Sequence, residues 1–309
     1  MYNLNEYAFL LGDPRRMRAY GDAIARTVGQ GSVVVDLGAG GGVLAVLAAK
    51  AGARRVYAIE AMPLGSVVAD AARRSGVGEI VTFVHGLSTE VTLPERADVI
   101  VSDLHGVLPH FREHLPAIVD ARERFLRDGG ALIPAREWLQ AALADAPDLY
   151  QRRVAVFAGA PYGVNMDGLR EMAVNRWYSG PKEDVRLMDG PAVIATIVYL
   201  EITGPDLDAA FDLATVEGGT AHGFCVWFDS ELAPGVMLSN SPALEETVFR
   251  RAFFPFERPL RLRAQDRVRV RLRAALHGPD YVWTWETHGA DAGAAAHFRQ
   301  STFRGYPIR

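Results

Sequence analysis

The chain has 309 residues, 49% of them hydrophobic, and a formal net charge of −4. It is long enough to bury a large core in two domains, and it lacks the basic balance of a nucleic-acid or anionic-membrane binder. The lone Cys225 excludes an intrachain disulfide and any multi-cysteine metal site, and no metal is expected.

The N-terminal segment has no basic stretch followed by an unbroken apolar run, and no stretch reaches the ~18 apolar residues of a membrane span. A soluble cytoplasmic protein is expected. From about residue 33 to 134 the chain alternates short Val/Ile-rich runs (SVVVDLG, RRVYAIE, IVTFVHG, ADVIVSD, GALIPA) with stretches of helical length. The runs predict buried parallel strands. The first two helical stretches end at Gly52 and Gly76, where left-handed C-caps are expected. Such alternation predicts a doubly wound, Rossmann-type α/β sheet over residues 1–134.

After Pro134 the pattern becomes strand-rich: EWLQAALAD, AVIATIVYLEIT, AAFDLATVE, AHGFCVWFDSEL, ETVFRRAFF, RPLRLRA, RVRVRLRAAL and YVWTWET. In RVRVRLRA, Val268, Val270, Leu272 and Ala274 share one face and Arg267, Arg269, Arg271 and Arg273 the other. The arginine comb reads as the solvated face of an antiparallel sheet, with a nucleic-acid stripe as the alternative. Residues 135–309 therefore predict a β-sandwich or barrel, interrupted by a polar, Gly- and Pro-rich excursion at about 160–190.

The first strand ends at Asp36, followed by Gly38-Ala39-Gly40-Gly41-Gly42 and a helix. Missing Cβ atoms let a ligand approach the backbone. A dinucleotide fingerprint needs its third glycine one position later than Gly42. An acid beside the loop disfavours a diphosphate and suits a positive centre. The next strand ends in Glu60, eighteen residues past Gly42, where a carboxylate can accept both ribose hydroxyls. A ribose without a diphosphate, next to a cation, describes S-adenosylmethionine.

The stretch VVVDLGAGGGVLAVLAAKAGARRVYAIE resembles the first motifs of class I methyltransferases, and in particular of the protein arginine methyltransferase family. DPRRMRAYGDAI resembles that family's N-terminal helix, which implies that Arg16, three residues after Asp13, grips the methionyl carboxylate. VHGLSTEV resembles the adenine segment, which implies that Ser88 and Thr89 lie near the adenine edge; an ordinary pair of loop hydroxyls is the alternative. ERFLRDGGALIPA resembles the family's last Rossmann helix and strand, after which a β-barrel follows. The resemblance also implies that the excursion at 160–190 is a dimerisation arm, that the chain forms a homodimer or higher homo-oligomer, and that Tyr7 lies in a segment folding over the cofactor.

The acceptor site departs from that pattern. Where the family has two glutamates nine residues apart to hold a guanidinium, SDLHGVLPHFREHL places Asp103 and Arg112. Asp103 is thereby a substrate ligand, a base, a neighbour of the cofactor or an ion-pair partner of Arg112, and Glu113 stands one residue along. Arg112 can instead bind a substrate carboxylate or phosphate. The family's Thr-His-Trp loop is matched by SPALEETVFRR, with Pro242, Ala243 and Leu244 in its place. His105 and His110, within the altered loop, are candidate general bases near neutral pH. His114 is a weaker candidate on the following helix.

These departures lead to the expectation of methyl transfer to an O or N atom (less readily C) of a small molecule in bacterial secondary metabolism. The alternatives are a protein or peptide methyltransferase, acting on arginine, and a silent cofactor-binding dimeric module. Neither nucleic acid nor membrane is expected as a partner.

Overall fold

The structure, a computed structural model, describes residues 4–104, 106–180, 185–188, 190–245, 247–291 and 293–305. Two helices, α1 (Leu4–Gly12) and α2 (Pro14–Thr27), precede the sheet. Asp13 caps α2, accepting from the Arg15 and Arg16 amides at 3.0 Å each, with Pro14 pre-set at the first helical position. Its buried face carries Arg16, Ala19, Tyr20, Ala23 and Ile24 at helical spacing.

The strands β1 (Val33–Leu37), β2 (Arg55–Glu60), β3 (Val81–His85), β4 (Ala97–Ser102) and β5 (Leu126–Ile133) pair in parallel in the order β3-β2-β1-β4-β5. The first four coincide with runs expected from the sequence, and β5 begins four residues before the expected GALIPA, in a stretch that read as helical. The helices α3 (Val43–Lys50), α4 (Gly65–Arg74) and α5 (His114–Phe125) connect them. Gly52 and Gly76 follow α3 and α4 with φ of 114° and 77°, as left-handed caps require. The strand order reverses between β1 and β4, so a crevice opens at their carboxyl ends, where such sheets bind ligands. Asp36, Glu60 and Asp103 all stand at this edge.

From β6 (Arg136–Asp145) the sheets are antiparallel. The excursion after it carries α6 (Pro147–Arg153) and α7 (Asp167–Val174), then β7 (Tyr178–Gly180), β8 (Arg186–Leu187) and β9 (Ala192–Val198). The remaining strands are β10 (Leu207–Ala214), β11 (Gly219–Ala233), β12 (Val236–Ser239), β13 (Arg251–Leu262), β14 (Arg267–His277), β15 (Asp280–Asp291) and β16 (Ala294–Ser301). One sheet runs β7-β13-β11-β6-β8, with β12 on β11 and β9 on β6; the other runs β10-β14-β15-β16. Phe224 and Phe254 of the first sheet stack at 5.0 Å between centroids, and Trp285 of the second meets Phe254 at 5.3 Å. Trp227, Trp283 and Trp285 are buried in the core.

The arginine comb of β14 alternates exposed and buried as the pattern implied. Three of its four guanidinium groups pair with neighbouring acids: Arg269 with Asp212, Arg271 and Arg273 with Asp208. Two expected runs, ETVFRRAFF and RPLRLRA, merge into the single strand β13, because Pro255 and Pro259 do not interrupt it. The expected runs do not include β12 and β16, a four-residue hairpin arm and an alanine-rich edge strand with weak β-propensity, nor the short β7 and β8 inside the excursion.

Candidate cofactor and acceptor site

The site grows from the carboxyl ends of β1, β2 and β4. After β1 the chain turns through Gly38, whose amide donates to the Ile59 carbonyl at 3.0 Å. Gly40 has a φ of 51°, and a Cβ there would lie 2.6 Å from the Tyr7 ring. Gly42, at φ 81°, caps α3, and a Cβ there would meet Val68 at 2.9 Å. The glycines thus serve both the left-handed turn and close packing.

Glu60 ends β2 with each carboxylate oxygen oriented by a backbone amide: Oε2 accepts from Gly40 at 2.9 Å and Oε1 from Met62 at 2.8 Å. A carboxylate oxygen has two acceptor positions, so both retain capacity for a pair of ribose hydroxyls. Asp36 is buried, with Oδ2 lacking a hydrogen-bond partner among the described residues. Burial pushes its carboxyl up to about 7, against a lowering by the Ala45 amide, and Glu60 adds repulsion. A buried carboxyl with an unpartnered oxygen beside a glycine turn fits a ligand whose positive charge would favour the ionised form.

Arg16 and Asp103 form a buried ion pair across 87 residues of sequence. Arg16 Nε donates to Asp103 Oδ2 at 2.5 Å, and Nη1 donates to the Leu10 carbonyl at 3.1 Å. Tyr20, one turn along α2, donates to Asp103 Oδ1 and to the Ser102 carbonyl, both at 3.1 Å. Burial and the Asp103 charge push the Tyr20 hydroxyl well above its usual range, which keeps it a donor. Asp13 explains its spacing from Arg16: one oxygen caps the helix and the other accepts from the Val248 amide at 2.8 Å. The cap fixes α2 against the loop that follows β12.

Several expectations about the acceptor loop are corrected. Asp103 pairs with Arg16 and Tyr20, not with Arg112. The Arg112 side chain is exposed, its guanidinium 5.0 Å from the Phe111 ring centroid, and its φ is 48°. Glu113 is exposed at the start of α5.

His110 is not a solvent-facing base. It is 6% exposed and meets Tyr281 and Trp283 edge-on, with centroids 5.5 and 5.8 Å away. Burial drives its imidazole down to about 4, so it is a neutral packing residue between loop and barrel. His114 is buried as well, its Nε2 3.1 Å from the Tyr199 hydroxyl, which donates to Glu137 at 2.8 Å. His105 lies outside the described residues.

Ser88 is half-buried, with its carbonyl accepting from Arg124, and Thr89 is exposed. Pro242 is buried while Ala243 and Leu244 are exposed. The functional residue that sequence reasoning missed is Tyr20; its position four residues after Arg16 on one helix face was the available signal.

Arg16, Asp36, the three glycines and Glu60 together fit S-adenosylmethionine. Residues 140–288 match the family model described as the arginine methyltransferase oligomerization subdomain, and residues 22–133 match that of ribosomal protein L11 methyltransferase (PrmA). The chain is 28% identical over 233 residues to probable protein arginine N-methyltransferase 6 of Arabidopsis thaliana, covering 72% of this chain and 53% of that protein. It is 30% identical over 272 residues to the probable histone-arginine methyltransferase CARM1 of Oryza sativa subsp. indica, covering 80% and 50% respectively. The chain thus spans about half the length of the curated relatives it matches.

Its fold is that of the Trypanosoma brucei PRMT1 enzyme-prozyme heterotetrameric complex with AdoHcy, at a TM-score of 0.88 and 21% identity over 96% of both chains. Arabidopsis thaliana protein arginine methyltransferase 10 gives 0.84 and 21% over 97% of each. Taken with the geometry at the ends of β1 and β2, these matches make the chain similar to the class I S-adenosylmethionine-dependent methyltransferases, and in particular to the protein arginine methyltransferase family.

Proposed function

We propose that the chain transfers a methyl group from S-adenosylmethionine to a side chain of a protein or peptide. The observation that carries the cofactor half is Glu60, whose two oxygens are aimed by the Gly40 and Met62 amides beside the buried Asp36. The acceptor half rests on the relatives, which are named as protein arginine methyltransferases. They favour a macromolecular acceptor over the small molecule that the altered loop led us to expect.

When bound, the sulfonium cofactor supplies an activated methyl for in-line substitution, which leaves the protein mainly alignment to provide. Glu60 would hold the ribose. Asp36, ionised, would face the positive centre. Arg16 would turn part of its guanidinium from Asp103 to the methionyl carboxylate, and Tyr20 would keep Asp103 in place. We also infer self-association, supported by the match to an oligomerization subdomain and by the helix α7 within the excursion at 160–190.

A small-molecule acceptor is the second reading, and a specific observation favours it. Asp103 is one methylene shorter than the family's glutamate, and Arg16 and Tyr20 occupy both of its oxygens. A guanidinium arriving there would meet a carboxylate already paired with Arg16 and bonded to Tyr20, and Arg112 stands at the second position. Incubation with radiolabelled S-adenosylmethionine and cell extract separates the readings. Label in the macromolecular fraction, released on hydrolysis as methylated arginine, supports the first; label confined to small molecules rejects it.

A further inference from the structure

The outer face of the four-stranded sheet carries a second cluster, far in sequence from the cofactor residues. Its register places Asp212, Arg269, His288 and His297 in one row across β10, β14, β15 and β16. The adjacent row holds Arg271, Glu286 and Arg299. Arg269 turns toward Asp212 at 3.0 Å and Arg271 toward Asp208 at 2.8 Å. Both guanidinium groups are thereby drawn toward β10, which leaves Glu286 to the two histidines and Arg299. The His288 and His297 rings stack, 4.1 Å between centroids and 14° from parallel. Their Nε2 atoms converge on one carboxylate oxygen, Glu286 Oε1, at 3.2 and 2.9 Å.

We propose that Glu286, His288 and His297 form a binding site for a divalent transition metal of the zinc class, clamping the edge strand β16 to β15. Their ligand atoms all lie within 4.8 Å of one another. Tetrahedral zinc with bonds of ~2.0–2.1 Å needs ligand-to-ligand edges of about 3.3 Å, close to the two nitrogen–oxygen separations already present. Two imidazoles and a carboxylate suit zinc, nickel or copper, whereas magnesium and calcium demand more oxygen ligands. Arg299 Nε also reaches Glu286 Oε1, at 3.1 Å, but its side chain is 74% exposed and free to swing aside.

With each imidazole proton on Nδ1 and the two exposed rings turned out of their parallel stack, both Nε2 lone pairs can meet one metal ion, and water fills the fourth position. Glu286 keeps a third of its side chain exposed, and a carboxylate in contact with water is an anion throughout the neutral range. Little in the linear order of residues signals the cluster. His288 and His297 are nine residues apart, and hairpin register alone makes them cross-strand partners.

The test uses the untagged chain stripped with EDTA. Calorimetry with zinc should show one equivalent bound, and cobalt substitution should give the visible absorption of a tetrahedral site. Zinc should also raise the melting temperature. The His288→Ala/His297→Ala variant should bind at least about thirtyfold more weakly and lose the zinc-induced rise. Both side chains are solvent-facing, so the stripped variant should melt like the stripped wild type. Binding undetectable at millimolar zinc, or an affinity unchanged in the double variant, would overturn the proposal. Neither outcome depends on whether the chain transfers methyl groups.

Discussion

Replacing Asp103 by asparagine isolates the charge of the Arg16–Asp103 pair while keeping its shape. The Arg16 and Asp103 side chains are 8% and 4% exposed, so solvent screens them little. An asparagine carbonyl can still accept from Arg16, and the amide can still meet the Tyr20 hydroxyl. What disappears is the anion opposite a buried guanidinium, a loss of about 3–5 kcal/mol when one member of such a pair is removed. At ~2 °C per kcal/mol for a chain of this size, the ligand-free melting temperature should fall by about 6–10 °C. S-adenosylhomocysteine carries a carboxylate that can replace the missing counter-ion. It should therefore raise the melting temperature of Asp103→Asn by more than it raises that of the wild type. Differential scanning fluorimetry, with and without the ligand, reads both quantities. A fall under about 2 °C, or a ligand-induced rise no greater than in the wild type, would refute the reasoning.

Other changes probe the remaining groups. Glu60→Ala removes two charge-assisted hydrogen bonds worth about 1.5–3 kcal/mol each, so calorimetry should show S-adenosylhomocysteine binding weakened by roughly 10²–10⁴-fold. Asp36, raised from 3.8 to about 7, keeps its proton when folded over a range where the unfolded chain has lost it. Its stabilising contribution, about 4 kcal/mol, is complete below pH 3.8 and disappears as pH rises through 7. Because a sulfonium favours the ionised form, affinity for S-adenosylmethionine should climb relative to the neutral thioether product between pH 6 and 8, and Asp36→Asn should abolish the difference.

His110 has the opposite sign. Its folded value near 4 lies below 6.5, so its contribution is full above pH 6.5 and lost as pH falls toward 4. Unfolding curves of His110→Phe should show less acid sensitivity in that window, with turnover kept within about threefold of wild type; a hundredfold loss of turnover would return it to the list of bases.

Local chemistry made much of the cofactor side readable. The strand ends at Asp36 and Glu60, the left-handed glycines and the caps at Gly52 and Gly76 are all set by residues within a few positions of one another, so spacing alone locates them. The alternation in β14 is legible for the same reason, since period two is a local signal. The partner of Asp103 was not legible. Arg112 is nine residues away and Arg16 eighty-seven, yet Arg16 makes the contact, because the cap at Asp13 and the packing of α2 carry it to the end of β4. His110 misled for a related reason. An exposed loop histidine and a buried one look alike until Tyr281 and Trp283, from a strand far downstream, are seen to cover it.

The cofactor and acceptor halves of the site share one residue, and that sharing bears on the altered acceptor loop. Asp103 belongs to the loop that should hold an acceptor, yet Arg16 and Tyr20 tie it into the layer expected to hold the methionyl group. A glutamate at this position would have one more methylene, about 1.5 Å of additional reach, enough to serve Arg16 with one oxygen and direct the other beyond it. The aspartate gives up that second function. If that shortening is what blocks a guanidinium, Asp103→Glu with Arg112→Glu should raise methyl transfer to arginine peptides, while either change alone should do less, since one carboxylate cannot both localise the guanidinium charge and flank it. Equal activity in the double variant and the wild type would mean that the limit on the acceptor lies elsewhere, with the loop after β12 the next element to examine.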